Sequence, residues 1–486
     1  MTSKKAISDS TCNTRRLFQL FLKLPPIYRV PRDVFYRILQ FFCNSYAVLD
    51  HQQRTPELIE LPQMVAVRVC HAWHDIVMKD PSLWRRLVFR YGMSARGTVD
   101  KFNAALAYWV KKAAPYTLSL TLSVEGRIKG HLWWDVTASL EKWAWQLGAI
   151  TLVVPDTHYC RFLGNVDFLW LRHLELDLDP FSHNAVTARS SRTNPFPLIR
   201  SLDVVSLHPS QFPDERVTSR LFSLSLLYHA GARGYRPTLT SDWSYATALA
   251  GCSNLVELSL GLGAADPSSG VAVQGLVELM TLRTLRLRFL STQSVFGKFL
   301  EDIRCPNLLE LDVDSAERIH ADDQTDLYEQ RLTHLILQSP CTWSLRSFSI
   351  RNVDFKESEL ICMLIALRAL WHFEFMPASY SESYPNLFRR FQGTSNWNPL
   401  CLTLDTLRVG SSEILDFHKR LMGAIQSRCL HHLPLKRVQL VYYDDLLLER
   451  AKLDECIEGF TRHSRAFHEE CFRTRQVSVS VQVVPK

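Results

Sequence analysis

Apolar residues fall into two rhythms along the chain. Between residues 30 and 90 they recur every three or four positions, which predicts helices. In "VPRDVFYRILQFF" the residues Val34, Phe35, Ile38, Leu39 and Phe42 form one stripe at helical spacing. Pro31 suits a helix start, and Asp33 favours the positive end of the helix dipole. "LPQMVAVRVCHAWHDI" predicts a further helix, with Val69, Trp73 and Ile76 or Val77 on one face. Asp80 then caps a short second turn with Pro81 at its first position, and Trp84 and Leu87 share one side. The whole segment 30–90 reads as helical.

From about residue 91 the texture changes. A pattern L-x-x-L-x-L, with conservative replacements, begins at Leu147, Leu171, Ile199, Leu221 and Leu255, and again at Leu282, Leu308, Leu345, Leu404 and Leu435. Most of the intervals between these starts fall within or near the period of leucine-rich repeats. One strand plus one helical return is too small to bury its own apolar face. Stacked units share one continuous core, and alternate strand residues must then point away from it. A further match at Leu332 lies too close ahead of Leu345 to be a separate unit and reads as part of a helix from Asp326 to Gln338. The repeat asparagine or cysteine is missing from most units, so the array is irregular. Near the end, "DDLLLERAKLDECIEGFTRHSRAFHEECF" predicts a long helix and "QVSVSVQVV" a last strand, together able to cap an open array.

Composition narrows the class. A chain of 486 residues, 47% hydrophobic and 22% charged, is large enough for a substantial core. The net charge of +7 arises from 56 basic against 49 acidic side chains without any run of five basic residues, which argues against nucleic acid as a partner. The 12 cysteines form no C-x-x-C pair, which fits free thiols in a reducing compartment better than a disulfide framework or zinc site. No apolar run approaches a membrane span, and "RRLFQLFLKL" makes a poor signal peptide. The expected location is cytoplasm, nucleus or both. Residues 1–29 are expected to be a partly disordered tail, 30–90 a helical domain and 91–486 the repeat array.

Three sequence blocks of the helical domain resemble the F-box family. The first holds Val30, Pro31, Asp33, Val34, Phe35, Ile38 and Leu39; the second Val69, Cys70 and Trp73; the third Pro81, Leu83 and Trp84. The resemblance is confined to this domain, a small part of the chain. It departs from the family in spacing, because the stretch from Pro31 to Trp73 is longer than the family's usual interval; residues 43–58 look like a polar insertion between the first two helices. Similar lengthened boxes occur in fungal F-box proteins. The resemblance implies a small three-helix unit that completes its apolar surface against a Skp1-type adaptor, and through it a cullin and RING subunit. By that resemblance the contact residues are Val30, Pro31, Val34, Phe35, Ile38, Leu39, Val69, Cys70 and Trp73, while Trp84 and Leu87 close the box onto the repeats. The expected fold is α+β or α/β: a three-helix F-box followed by an irregular leucine-rich-repeat-like horseshoe of parallel strands and helices.

The repeat pattern also names outward strand positions for an unknown target protein. Early units offer Glu175, Asp177 and Asp203. Middle units offer Arg286 and Arg288 beside Glu310, Asp312 and Asp314, and late units offer Arg351, Arg408 and Arg437. This predicts a face acidic at one end and more basic at the other. Candidate chemistry is sparse: no phosphate-binding glycine loop, no H-E-x-x-H and no G-x-S-x-G is present. His71 and His74 share a helix without a completing ligand. No catalytic group, metal or cofactor is expected. The resemblance implies a substrate-recognition subunit of an SCF-type (Skp1–cullin–F-box) ubiquitin ligase, acting by proximity rather than bond chemistry. A scaffold that binds the adaptor without ligase function, or a plain repeat-based binding module, are the alternatives.

Overall fold

The computed structural model describes residues 31–45, 48–50, 62–91, 96–124, 130–154, 163, 166–178, 196–205, 215–228, 249–262, 276–289, 300–319, 326–377, 384–391, 400–411, 420, 421, 423–425, 427, 428, 433, 435–444 and 478–485. These form two compact units, one up to Val153 together with Phe168–Trp170, the other Val154–Asp167 and Leu171–Lys486.

The first unit opens with helix α1, Arg32–Ser45. Strand β1 is Val48–Asp50, and α2 (Pro62–Val69) and α3 (His71–Lys79) follow. A 3₁₀ turn at Pro81–Trp84 leads into β2, Arg86–Tyr91. The turn starts as expected, with Pro81 at its first position and the Asp80 carboxylate accepting the Ser82 N–H at 2.8 Å. Two expectations change. The single helix through residue 70 is broken: Cys70 is extended, with φ −165° and ψ 168°, and its carbonyl accepts the first α3 bond from His74 at 2.9 Å. No glycine or proline marks this break. The end of the segment is a strand rather than helix, so Leu87 is buried through strand pairing instead of sharing a helix face with Trp84. The insertion also begins later than expected, because α1 continues through Ser45 and Cys43 is buried within it.

Buried Phe35, Leu39, Cys43, Ala66, Val77, Leu83 and Trp84 form the core of this bundle. Gln63 is its polar clamp: the buried side-chain amide donates to the carbonyls of Cys43 at 3.2 Å and Leu83 at 3.0 Å, tying three segments together. Helix α4 (Arg96–Ala113), β3 (Leu118–Val124), α5 (Gly130–Trp143) and β4 (Leu147–Val154) complete the order, and β1 to β4 pair in parallel. Strict alternation of buried and half-buried residues along "LSLTLSV" in β3 is what a one-sided strand requires.

The second unit carries a long parallel sheet. Its strands begin with β5 (His173–Leu178), β6 (Ser201–Val205), β7 (Ser223–Tyr228) and β8 (Glu257–Leu262). The short β9 (Val277–Glu278) and β11 (Ile303–Arg304) pair separately with each other, while β10 (Thr284–Phe289) continues the main sheet. β12 (Glu310–Ile319), β13 (Ser347–Val353) and β14 (His372–Met376) come next, then β15 (Thr406–Ser411), β16 (Arg437–Asp444) and β17 (Ser478–Pro485). From β6 onward each main strand pairs in parallel with the main strand before it in sequence. Helices α6 (Asp326–Gln338, at the expected bounds), α7 (Glu357–Ala366) and α8 (Pro385–Phe391) lie between strands. The long helix expected before β17 falls outside the described residues.

Registration of the leucines explains this order. Leu174, Leu202, Leu224, Leu258, Leu285 and Leu311 face one another across successive strands, followed by Phe348, Phe373, Leu407 and Val438. All are buried. From Leu171 onward the first apolar residue of each pattern sits two positions ahead of its strand, also buried. One unit escapes the leucine pattern: "LWHFEF" at Leu370 uses two phenylalanines, Phe373 and Phe375, and supplies β14. It fills the long interval between Leu345 and Leu404. Polar residues just before the first leucine knit the units together. Thr281, Ser344 and Thr403 hydroxyls lie 2.8–2.9 Å from the carbonyls of Leu255, Leu308 and Leu370, the first leucines of the preceding units.

Candidate functional site

Two surfaces could meet a partner, one in each unit. On α1 the apolar residues form two neighbouring stripes. Phe35, Leu39 and Cys43, at i, i+4 and i+8, face the core; Leu39 is 0% exposed. Val34, Ile38 and Phe41, at i, i+4 and i+7, lie roughly 100–120° round the helix and are 44%, 47% and 75% exposed. Pro31 extends this outer stripe at the exposed start of the helix. Val69, at the end of α2, is also exposed.

Of the residues expected at the adaptor contact, the structure therefore presents Pro31, Val34, Ile38 and Val69 to solvent. Cys70 and Trp73 are half-buried. Trp73 meets Phe35 edge-to-face, with ring centroids 4.9 Å apart. Leu39 is wholly internal and Phe35 nearly so, which removes both from the set available to a partner. The physical reason is that a helix on a small bundle must use one stripe for its own core. Val30 lies outside the described residues. Phe41 was not among the expected residues, although its spacing from Val34 and Ile38 would have placed it with them. Trp84 packs within the unit: its Nε1–H donates to the Val77 carbonyl at 2.7 Å and its ring meets Trp109 at 5.0 Å and Tyr108 at 5.4 Å.

The second surface is the outward face of the long sheet. Parallel register aligns Glu175 with Asp203, Ser225 and Ser259, then Arg286 with Asp312, Ser349, Glu374, Arg408 and Gln439. This row is polar throughout, as the alternation predicts. Its charge distribution differs from the expected gradient. Arg351 donates to both carboxylate oxygens of Asp312, at 2.8 and 2.6 Å, and Arg408 meets Glu374 at 2.5 Å. The late arginines Arg351 and Arg408 are thus neutralised by carboxylates on neighbouring strands. Glu374 is itself buried and also accepts from the Ser349 hydroxyl at 3.3 Å. It was missed because β14 escaped the leucine pattern. Arg286 and Arg288 are exposed as expected.

The early end keeps its acidity. Glu175 and Asp177 are half-buried, and Asp203 lies 3.8 Å from His173. Burial raises the Asp203 carboxyl above its usual range; His173 opposes this, while Glu175 and Glu257 add to it. A raised folded-state pKa contributes stability that is present below the unfolded value of about 3.9 and is lost as pH rises through the folded value. At neutral pH the Asp203 charge therefore costs stability. Asp203→Asn is expected to melt at a higher temperature than wild type at pH 7, with the gap narrowing as pH falls through the acid range. Melting curves at several pH values check this; a lower melting temperature for the variant at pH 7 would contradict it.

Among the described residues no group of three His, Cys, Asp or Glu side chains could hold a metal ion, and no helix is long and apolar enough to cross a membrane. Burial pushes the Cys43, Cys252 and Cys401 thiols up to about 12 and Cys341 to about 11, so these cysteines are packing groups held as thiols. What the arrangement offers is apolar area in the first unit and patterned charge in the second. No protein-family model matches this chain, and no curated protein matches it.

Proposed function

We propose that the chain is the substrate-recognition subunit of an SCF-type ubiquitin ligase, binding a Skp1-type adaptor through the first unit and a target protein through the second. The observation that carries the reading is the outer apolar stripe of α1. A soluble helix ordinarily turns polar residues outward. Here Pro31, Val34, Ile38 and Phe41 stand exposed on a helix whose other stripe already serves the core. With Val69, they coincide largely with the contact positions implied by the F-box resemblance, and aliphatic and aromatic anchors of this kind carry most of the energy of a protein interface. The leucine-rich-repeat-like order of the second unit suits the other half of the task, since stacked strands present a long row of outward side chains. Catalysis belongs to other subunits; this chain raises the local concentration of a target lysine near the carried ubiquitin.

Co-purification of the full chain with a Skp1-type adaptor tests the reading, alongside Ile38→Asp. An aspartate in the middle of the outer stripe buries an unpaired charge on complex formation. The wild type is expected to capture the adaptor and the variant to lose at least about tenfold in affinity while its melting temperature stays within about 2 °C, because Ile38 is exposed in the free chain. Failure of the wild-type chain to bind would overturn the proposal. Equal binding by a folded Ile38→Asp variant would overturn the assignment of the stripe.

A further inference from the structure

The residues immediately before β5, β6, β7, β8, β10, β12, β13 and β14 stand in one hydrogen-bonded row along the sheet's leading rim. Backbone N–H groups of Arg200 and Ser201 donate to the Arg172 carbonyl at 2.9 and 3.0 Å, and those of Phe222 and Ser223 donate to the Arg200 carbonyl. The same double bond pattern passes through Val256, Arg283, Leu309 and Arg346 to Trp371. The row is therefore fixed by the backbone and does not depend on side-chain choice. Its side chains nonetheless follow a theme. Arg172, Arg200, Arg283 and Arg346 are all exposed, and Phe222 and Trp371 are 46% and 55% exposed. Val256 and Leu309 fill positions between them.

Two of the arginines are held against the rings of the next unit. The Arg200 guanidinium lies 5.5 Å from the Phe222 centroid and that of Arg346 lies 5.5 Å from Trp371. Stacking of this kind leaves the planar N–H fork available for a carboxylate while limiting its freedom. Beyond Trp371 the cationic run ends, because Lys436 is matched by Asp405 at 2.7 Å.

Spacing selects the partner. Neighbouring strands are about 4.8 Å apart, so Arg283 and Arg346, two strands apart, are about 10 Å apart. An extended peptide advances about 3.3 Å per residue and covers that distance in about three residues. A single-stranded nucleic acid is less well matched. The Phe222 and Trp371 rings each already carry a guanidinium on one side, and exposed Glu257 and Glu310 lie one position beyond Val256 and Leu309. Those carboxylates interrupt the positive field that a continuous phosphate backbone needs, whereas a peptide can place its charges discretely.

We propose that this rim is the docking surface for an extended acidic peptide of a partner protein, with carboxylates about three residues apart and bulky apolar residues between them. Such docking needs no adaptor, so it stands or falls separately from adaptor capture, although it would provide the target contact of the receptor reading.

The test uses the full chain alone and a fluorescein-labelled peptide of about ten residues repeating Glu-Leu-Ser, the length that spans the row from Arg172 to Trp371. Fluorescence anisotropy is expected to show saturable binding, weakened at least about tenfold by Arg283→Glu with Arg346→Glu and by glutamine in place of glutamate in the peptide. Arg283→Gln alone leaves the Arg346–Trp371 stack in place and is expected to weaken binding several-fold with an unchanged melting temperature. Absence of saturable binding, or equal binding by a normally melting Arg283→Gln variant, would overturn the proposal. Tighter binding of an oligothymidylate than of the peptide would overturn it in favour of single-stranded nucleic acid.

Discussion

Replacing Trp84 by alanine is expected to destabilise the first unit by about 3–5 kcal/mol, the usual range for removing a large buried aromatic side chain. Three contributions act together. The side chain is fully buried, so its area is lost to a cavity. Its ring makes edge-to-face contacts with Trp109 and Tyr108, which link the 3₁₀ turn to α4. Its Nε1–H satisfies the Val77 carbonyl near the end of α3. Trp84→Phe separates these effects: it keeps most of the ring and loses the donor, and is expected to cost about 1–3 kcal/mol. Urea denaturation followed by hydrogen exchange in α3 and α4 measures both. A loss below about 1 kcal/mol for Trp84→Ala would show that the site collapses around the missing ring.

The second large effect is expected at Arg428. Its guanidinium is buried and donates from Nη1 to the Leu400 carbonyl and from Nη2 to the Cys401 carbonyl, both at 2.8 Å. Cys401 has a φ of 49°, in the left-handed region that a residue with a Cβ enters at a cost. The arginine therefore holds both carbonyls of a turn that is unfavourable by itself, just ahead of the chain's entry into β15; the Cys401 carbonyl also accepts the Leu404 N–H at 3.0 Å. Arg428→Ala leaves those acceptors buried without these donors and is expected to cost about 3 kcal/mol, combining two lost charge-assisted bonds and lost packing. Arg428→Lys keeps the charge but cannot span both carbonyls with a planar fork, so it is expected to recover only part of the loss. Full stability in the alanine variant, measured by denaturant titration, would show that water replaces the guanidinium.

Both positions illustrate how a sequence conceals its most consequential contacts. Trp84 is conspicuous as a tryptophan after Pro81 and Leu83, yet its partners Tyr108 and Trp109 are on a helix that lies beyond the next strand. Arg428 resembles any other arginine. Nothing local marks it as buried, because the carbonyls its guanidinium grips belong to a distant turn. The ion pairs of the long sheet are similar. Arg351 and Asp312 are far apart in sequence and meet only because β12 and β13 are parallel neighbours. The expected gradient from acidic to basic treated each strand separately, whereas pairing brings opposite charges together.

Amphipathic period and leucine spacing were enough to locate most strands of the second unit, the bounds of α6, the turn capped by Asp80 and the final strand β17. These follow from local rules: a period of two for a one-sided strand, a period near 3.6 for a helix, and proline where an N–H is dispensable. β14 escaped only because phenylalanine replaced leucine while performing the same burial. Tertiary structure decided the rest. It selected which of two adjacent stripes of α1 enters the core, turning Phe35 and Leu39 inward and leaving Val34 and Ile38 exposed. It broke the chain at Cys70, paired Arg351 and Arg408 with carboxylates and aligned the rim of arginines and aromatics. Such outcomes depend on which distant segments meet, and a one-dimensional pattern of apolar and polar positions records how each segment is divided but not what lies against it.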